Sequence, residues 1–300
     1  MNDLAPTAER LQEAREFAGL KPEGYWQGVF KRLRRDPITV GAALVVLLIA
    51  LAAVFAPWLP LADPYDGRIV QRLKPIGTEG MPLGGDELGR DMLSRLIYGG
   101  RLSLFMGIAP VVAAFLIGTT LGVLAGYLGG RTNMAIMRTV DVFYAFPSIL
   151  LAIAISGALG AGLTNTLISL TVVFIPPLTR IAESVTTSVR GLDFVDAARA
   201  SGASHLAVIR THVLGNVVGP IFIYATSLVS VSMILAAGLS FIGLGVKPPE
   251  PEWGLMLNTL RTAIYVDPVL AALPGVMIFV VSICFNLMSD GLRSAMDVKL

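Results

Sequence analysis

Six apolar runs, each long enough to cross a lipid bilayer and free of charge in its interior, constrain this chain more than any other feature. A helix can cross the hydrocarbon core because it satisfies its own backbone hydrogen bonds. The runs therefore predict an all-α membrane protein with six transmembrane helices. Their expected bounds are residues 38–59, 102–128, 140–159, 163–179, 217–244 and 269–288.

The composition supports membrane insertion. Of the 300 residues, 54% are hydrophobic and 15% are charged, and the mean hydropathy is +0.72, which is outside the range of soluble domains. The formal net charge of +2 gives no reason to expect a nucleic-acid partner. The single cysteine, Cys284, excludes an intrachain disulfide. Since the first run follows a long charged leader, it predicts an uncleaved spanning helix.

The basic residues predict the orientation. With the amino terminus in the cytoplasm, fifteen of the 23 Lys and Arg residues lie on that side. Both termini, and the polar segment between the fourth and fifth runs, are then cytoplasmic. The expected organisation is a cytoplasmic segment (1–37), a first transmembrane helix (38–59), an extracytoplasmic loop (60–101), a transmembrane core (102–291) and a cytoplasmic tail (292–300).

The end of the cytoplasmic segment, residues 24–36, mixes aromatic and basic side chains. This mixture is typical of an amphipathic helix in contact with membrane lipid. A basic flank that only fixes orientation is the alternative.

The polar segment 195–216, here called the polar loop, is the long polar insert in the second half of the chain. Good helix formers precede Gly202, and Ser204 is a suitable N-cap for the residues that follow, so two short helices with a glycine hinge are expected. The second half carries apolar residues at helical spacing, which are Leu206, Ile209 and Val213. They would form a stripe able to pack into a groove of another protein, or belong to a solvated loop helix.

The polar loop also resembles the EAA loop of ABC-importer membrane subunits. The residues that match its spacing are Asp196, Ala197, Ala198, Gly202 and Leu214. Asp196 stands where the family usually has glutamate, and Gly215 where it commonly has proline. A glycine can end a helix by adopting a left-handed conformation, so a stop at Gly215 is expected. The resemblance implies that the loop, including Leu206 and Ile209, docks on a cytoplasmic ATPase.

Three other segments resemble the dipeptide and oligopeptide permeases of these importers. They are the Leu-Gly-x-Asp-x-x-Gly-Arg-Asp string over 83–91, the Gly/Pro/Trp turn over 239–257 and the carboxyl-terminal stretch over 285–300. The chain is thus similar to the C-type permease subunit of the dipeptide, oligopeptide and nickel importers, with a type 1 core, in a bacterial inner membrane. The resemblance implies peptide substrates, with nickel, glutathione or another small solute as alternatives.

The same resemblance implies the partners. They are a homologous second permease, two ATPase subunits or domains that hold ATP and magnesium, and an extracytoplasmic solute-binding protein. No cofactor is expected in this chain, and its sequence contains no Gly-x-x-x-x-Gly-Lys-Ser/Thr string to hold ATP phosphates. Any ATPase is therefore expected to be another polypeptide.

Two patterns concern helix shape. Gly118, Gly122 and Gly126 recur at intervals of four, which predicts a helix face open to the close approach of another helix. Pro176 and Pro177 would kink or break the fourth run just before the polar loop, as a hinge or as a static bend.

Two patterns concern charges. Asp141 would pair with Arg138, three residues earlier on the same helix face. Asp86 would cap a helix, with Arg90 and Asp91 on its solvated face.

Functions from other classes receive less support. His205 and His212, the only histidines, have no carboxylate or thiol at ligand spacing, which argues against a metal site or a general base. An ion-gradient-driven secondary transporter would place ionisable groups at mid-membrane, and the centres of the runs offer no clear candidate. An intramembrane enzyme would need a nucleophile and a base that the sequence does not supply.

Overall fold

The computed structural model describes residues 25–296, and within them it contains helices, turns and loops but no β-strand. The helices are α1 (Tyr25–Leu33), α2 (Pro37–Phe55), α3 (Met92–Leu128), α4 (Gly130–Tyr144), α5 (Ser148–Leu159), α6 (Leu163–Arg190), α7 (Asp193–Ala200), α8 (His205–Val208), α9 (Leu214–Phe241), α10 (Trp253–Thr259) and α11 (Pro268–Met296). A π-helical turn, Ile209–Val213, joins α8 to α9. The expectations for residues 1–24 and 297–300 lie outside the described residues.

Five helices are long and apolar enough to cross a membrane, or six if α4 and α5 form one broken span. The predicted all-α membrane fold is confirmed. Several helices extend beyond the apolar runs: α3 begins at Met92, ten residues before the predicted start, and α6 continues to Arg190. Hydropathy marks only the part of a helix that lies in hydrocarbon, so it does not detect the polar ends of these helices.

The third predicted span, 140–159, is not one helix. α4 ends at Tyr144, α5 begins at Ser148, and the two axes meet at 87°. Pro147 explains the break, because proline disfavours a helical conformation at the residue before it and cannot donate to the preceding turn.

Pro176 and Pro177 do not break their helix. α6 continues through both prolines, and Pro176 is buried. The predicted break is therefore wrong, and the alternative, a kink, stays a prediction. Membrane helices keep internal prolines when neighbouring helices support them, and α6 packs along α3 in the most extensive helix contact of the described residues. A hinge role for the two prolines stays a prediction.

The most extensive helix contact joins α3 and α6, and glycines make it possible. A Cβ added to Gly122 would lie 2.5 Å from the Cβ of Ala182, and one added to Gly118 would lie 2.9 Å from the Cβ of Leu178. Gly126 meets the backbone of α6 in the same way. The predicted close approach at this glycine face is confirmed.

The first long helix, α2, lies against α11 and α3. Asp36 caps it by accepting a hydrogen bond from the amide of Ile38 at 3.2 Å, and Pro37 occupies the first turn, where no donor is needed. Thr39 is buried against Gly291 of α11, where any side chain would overlap it. Most large apolar side chains of α2 are exposed, as expected of a helix that faces lipid.

The loop before α3 folds around a buried charge cluster. Asp86 Oδ2 lies 2.6 Å from Nε of Arg90 and 3.2 Å from Nε of Arg95. The prediction that Asp86 caps a helix, with Arg90 and Asp91 on a solvated face, is wrong. Asp91 is the N-cap of α3, accepting from the amide of Ser94 at 2.8 Å, and all these charges are buried. A buried carboxylate needs cationic partners, which explains why the arginines turn inward.

Glu252 joins α10 to α3. Its carboxylate is 1% exposed and accepts hydrogen bonds from the amides of Gly254 and Leu255, each at 2.8 Å, and from Ser103 Oγ at 3.1 Å. Burial raises the pKa of Glu252 above its usual range, and these hydrogen bonds to the charged form oppose part of the rise. This carboxylate therefore caps the first turn of α10 and holds it against α3.

Candidate functional site

The polar loop folds as two short helices on either side of Gly202, as predicted. α7 ends at Ala200, Gly202 has a positive φ of 82°, and α8 begins at His205. Ser204 Oγ accepts a hydrogen bond from the amide of Ala207 at 3.3 Å, which confirms Ser204 as the N-cap of α8. The chain reverses at Gly202 because glycine adopts this backbone conformation without the strain that a Cβ would cause.

The sequence-predicted site residues divide into two sets. The exposed set is Asp196, Ala197, Gly202, Leu206 and Gly215. The partly buried set, which packs against the apolar core shared by α3, α6 and α9, is Ala198, Ile209 and Leu214. The predicted stripe is therefore wrong: Leu206 is 75% exposed, whereas Ile209 and the fully buried Val213 face the protein. Val208 of α8 is likewise buried in this core, so the side of the segment that bears Val208, Ile209 and Val213 faces the protein.

Gly215 does not end a helix. It lies in the first turn of α9 with no side chain or distant backbone within 4 Å of its Cβ position. Because the π-turn joins α8 to α9, one helical segment runs from His205 to Phe241. The expected stop is wrong, since the residues after Gly215 bury apolar side chains along α9 and stabilise the continued helix.

The outer face of the polar loop, together with the residues just before it, carries large apolar side chains. Leu192 is 47% exposed, Phe194 41% and Leu206 75%, while Val195 is fully buried and anchors α7. Sequence reasoning missed Leu192 and Phe194, although apolar residues beside a polar loop could have drawn attention to them. We call the exposed set of Leu192, Phe194, Asp196, Ala197 and Leu206 the loop surface.

Tyr127, in the last turn of α3, holds the loop from the inside. It is 2% exposed, and its hydroxyl lies 3.3 Å from Nδ1 of His205. The guanidinium of Arg199 stacks over its ring, with 4.9 Å between the guanidinium carbon and the ring centroid. Sequence reasoning missed this residue, because a lone tyrosine at the end of an apolar run carries no motif.

A second feature is an open cavity of about 190 Å³ bounded by α4, α5, α6 and α9. Its wall is mostly apolar and includes the aromatic rings of Phe143, Tyr144, Phe146 and Tyr224. Both Pro176 and Pro177 line it, so the proline segment of α6 forms part of the wall.

An ion pair stands beside this cavity. Asp141 Oδ1 lies 2.5 Å from Nη2 of Arg180, and the guanidinium carbon of Arg180 lies 4.5 Å from the ring centroid of Tyr144. The predicted partner, Arg138, is the wrong one. Arg180 projects from α6 toward α4, so Asp141 pairs with a residue of another helix and not with Arg138 of its own helix.

Each of the two histidines lies beside an aromatic side chain. His205 contacts Tyr127, and His212 lies 6.3 Å from Phe194, measured between ring centroids. Over residues 25–296 no group of three or more His, Cys, Asp or Glu side chains could hold a metal ion.

Residues 118–298 match the family described as binding-protein-dependent transport system inner membrane component. The chain belongs to this family. In this inner membrane component, residues 24–75 also match the N-terminal transmembrane domain of oligopeptide transport permease C, which accounts for α1 and α2.

The relatives of this inner membrane component are named as permeases. The glutathione transport system permease protein of Pectobacterium atrosepticum is 39% identical over 275 residues, which cover 92% of this chain and 91% of the relative. The di/tripeptide transport system permease protein of Pseudomonas aeruginosa is 42% identical over 266 residues, covering 87% and 88%. The chain is therefore a multi-pass protein of a bacterial inner membrane and a permease subunit of an ABC importer. It is neither the ion-gradient-driven transporter nor the intramembrane enzyme considered as alternatives.

Solved structures share the fold of this inner membrane component. A methionine ABC transporter in an inward-facing conformation matches with a TM-score of 0.56 and 18% identity, over 68% of this chain and 97% of that chain. An amino acid ABC transporter matches with a TM-score of 0.51 and 15% identity, over 67% and 94%. At these identities the likeness concerns the fold alone.

Proposed function

We propose that this permease subunit moves short peptides across the inner membrane, driven by ATP hydrolysis in separate subunits. The di/tripeptide permease of Pseudomonas aeruginosa and the dipeptide permease of Alkalihalophilus pseudofirmus support the substrate class. Glutathione, itself a short peptide, is the named substrate of other relatives at similar identity and is the second candidate.

The loop surface is proposed as the site where an ATPase subunit docks. The observation that carries this proposal is that Phe194 and Leu206, on two short helices, and Leu192, at the N-cap of α7, are exposed while Val195 and Val208 of these helices are buried in the protein. Exposed apolar side chains held on a rigid support are typical of residues that bind a partner's groove. Closure of the ATPase pair on ATP would move this surface and switch the membrane cavity between outward and inward openings.

The complete importer is proposed to contain four kinds of component. They are this chain, a homologous second permease, two ATPase subunits or domains and an extracytoplasmic solute-binding protein. ATP and magnesium are held by the ATPases.

The docking proposal is tested with Phe194→Asp and Leu206→Asp in the co-expressed importer. A charge at the centre of an apolar contact is costly, so we expect ATPase co-purification to fall by roughly tenfold or more. Membrane abundance of the permease should not change. The matched control is Ile69→Asp, because Ile69 is 87% exposed in the loop before α3, at the other end of that helix. Retention of the ATPases by both loop variants would contradict the proposal.

The substrate class is tested by uptake in liposomes that contain the importer, its binding protein and ATP. Labelled dipeptide, tripeptide and glutathione are compared, each in competition with the other two. Uptake of di- and tripeptides that glutathione does not inhibit is the expected result. Uptake restricted to glutathione would assign the second candidate.

A further inference from the structure

Tyr127 contacts the polar loop on both sides of its glycine hinge. Arg199, whose guanidinium stacks over the ring, precedes Gly202 by three residues, and His205 follows it by three. The His205 ring lies 5.8 Å from the Tyr127 ring, measured between centroids, at an interplanar angle of 74°. One buried ring therefore holds the end of α7 and the start of α8.

The hinge itself has little side-chain support. A Cβ built on Gly202 would have no atom within 4 Å, so no side chain supports the turn on that face. Backbone hydrogen bonds close the end of α7, including one from the amide of Gly202 to the carbonyl of Arg199 at 2.9 Å. The last of these bonds, from the amide of Ala203 to the carbonyl of Ala198 at 3.2 Å, does not reach α8. The contacts of Tyr127 do reach α8, and they oppose a change in the angle between the two helices.

The ring is attached to a stiff part of the protein. Tyr127 directly follows Gly126, where α3 and α6 are in backbone contact, and Arg190 of α6 donates to the carbonyl of Gly126 at 3.4 Å. A displacement of the polar loop that Tyr127 follows therefore reaches α3 and α6 together.

We propose that Tyr127 is a positioning residue, which keeps α7 and α8 at a fixed angle and transmits displacement of the polar loop to α3 and α6. The inference rests on the proposed function, because the ATPase supplies the displacement. Two chemical features of the side chain act separately: the aromatic face holds Arg199, and the hydroxyl meets His205. Tyr127→Phe removes only the second contact, whereas Tyr127→Leu removes both.

The first readout is the amount of peptide taken up per ATP hydrolysed by the complete importer in liposomes. For Tyr127→Leu we expect the ATPases to remain bound and basal hydrolysis to continue, while uptake per ATP falls roughly fivefold or more. Tyr127→Phe should lower the uptake per ATP by a smaller factor. Tyr265→Leu is the control, because Tyr265 is 89% exposed in the turn before α11.

The second readout is the angle between the two helices. Spin labels at Ala200→Cys and Ala207→Cys, in a Cys284→Ala background, report the distance between α7 and α8 in the same importer. The distance distribution should broaden with Tyr127→Leu and stay narrow in the control.

The outcomes separate the two proposals. Unchanged uptake per ATP, an unchanged distance distribution, or loss of the ATPases from Tyr127→Leu would each overturn the role of Tyr127. The docking proposal would survive these results. If the unsubstituted chain never binds an ATPase, the proposed function fails and this inference fails with it.

Discussion

The buried environment of Glu252 makes the stability of the folded protein depend on pH. Because burial raises its pKa, the folded protein binds the Glu252 proton more tightly than the unfolded chain does. Its contribution to stability is therefore fully present below the ordinary value of 4.5 and declines as the pH rises from there through the raised pKa. We expect the difference in thermal midpoint, wild type minus Glu252→Gln, to decrease from about pH 4 upward in detergent.

Glu250→Gln is the matched control for this experiment. It removes a nearby but exposed carboxylate that accepts a hydrogen bond from Tyr65. The interpretation fails if both variants show the same trend with pH.

Gly122 tests the contact between α3 and α6. A Cβ there would overlap the Cβ of Ala182 and the carbonyl oxygen of Thr179, each at 2.5 Å. We expect Gly122→Ala to lower the stability of the solubilised protein by about 1–3 kcal/mol, because neither atom can move without shifting a helix. The measurement is a thermal unfolding scan in detergent.

Gly238 provides the comparison for Gly122. It lies inside α9 with no atom within 4 Å of its Cβ position. Gly238→Ala should be neutral or stabilising, since alanine is the better helix former. Equal destabilisation by the two substitutions would mean that steric contact is not the cause.

At the scale of the element, substitutions at Gly202 distinguish the effect of backbone strain from the effect of side-chain bulk. Its φ of 82° strains any L side chain, but the surrounding space is open. We expect Gly202→Val to abolish peptide uptake while membrane insertion is unchanged. Gly202→Asn should retain part of the uptake, because asparagine tolerates the left-handed region.

Uptake in cells and the abundance of the permease in membrane fractions are the two measurements for the Gly202 variants. Normal uptake by Gly202→Val would remove the case for a conformational requirement at this turn. Equal loss in both variants would indicate that bulk, and not strain, matters there.

The helices show what the sequence could predict and what it could not. Apolar runs located the spanning helices because burial in lipid depends on composition, but they missed the start of α3. That start contains Arg95, whose charge is compensated by Asp86 in another segment. Likewise Asp141 pairs with Arg180, although local spacing favoured Arg138. Contacts between distant segments are not visible in local patterns.

For the candidate site, as for the helices, the sequence predicts the local features but not the contacts between segments. The turn at Gly202 and the cap at Ser204 follow from local rules that act within a few residues. The inward orientation of Ile209 and the role of Tyr127 depend on where α3 ends relative to the loop. That placement is set by the packing of the whole bundle.

For the whole molecule, the orientation in the membrane is a testable prediction. The distribution of basic residues places the polar loop in the cytoplasm and the loop before α3 outside. In a Cys284→Ala background, we expect Glu79→Cys to react with a membrane-impermeant maleimide in intact spheroplasts. Ala200→Cys should react only after permeabilisation.

Both test positions are exposed, so labelling reports the side of the membrane and not burial. The reverse labelling pattern would show that the orientation in the membrane is opposite to the predicted one. It would also leave the loop surface without access to a cytoplasmic ATPase.

The continuous helix from His205 to Phe241 makes the second half of the polar loop one end of a long rigid rod. Its 37 residues span roughly 55 Å at 1.5 Å per residue, more than the thickness of the bilayer core. If the rod pivots at one end, a tilt of about five degrees displaces the other by about 5 Å, close to one helical turn. A displacement of Leu206 would then move the chain at Phe241 on the opposite side of the membrane, and the π-turn and Pro220 are the two points where bending would absorb part of it.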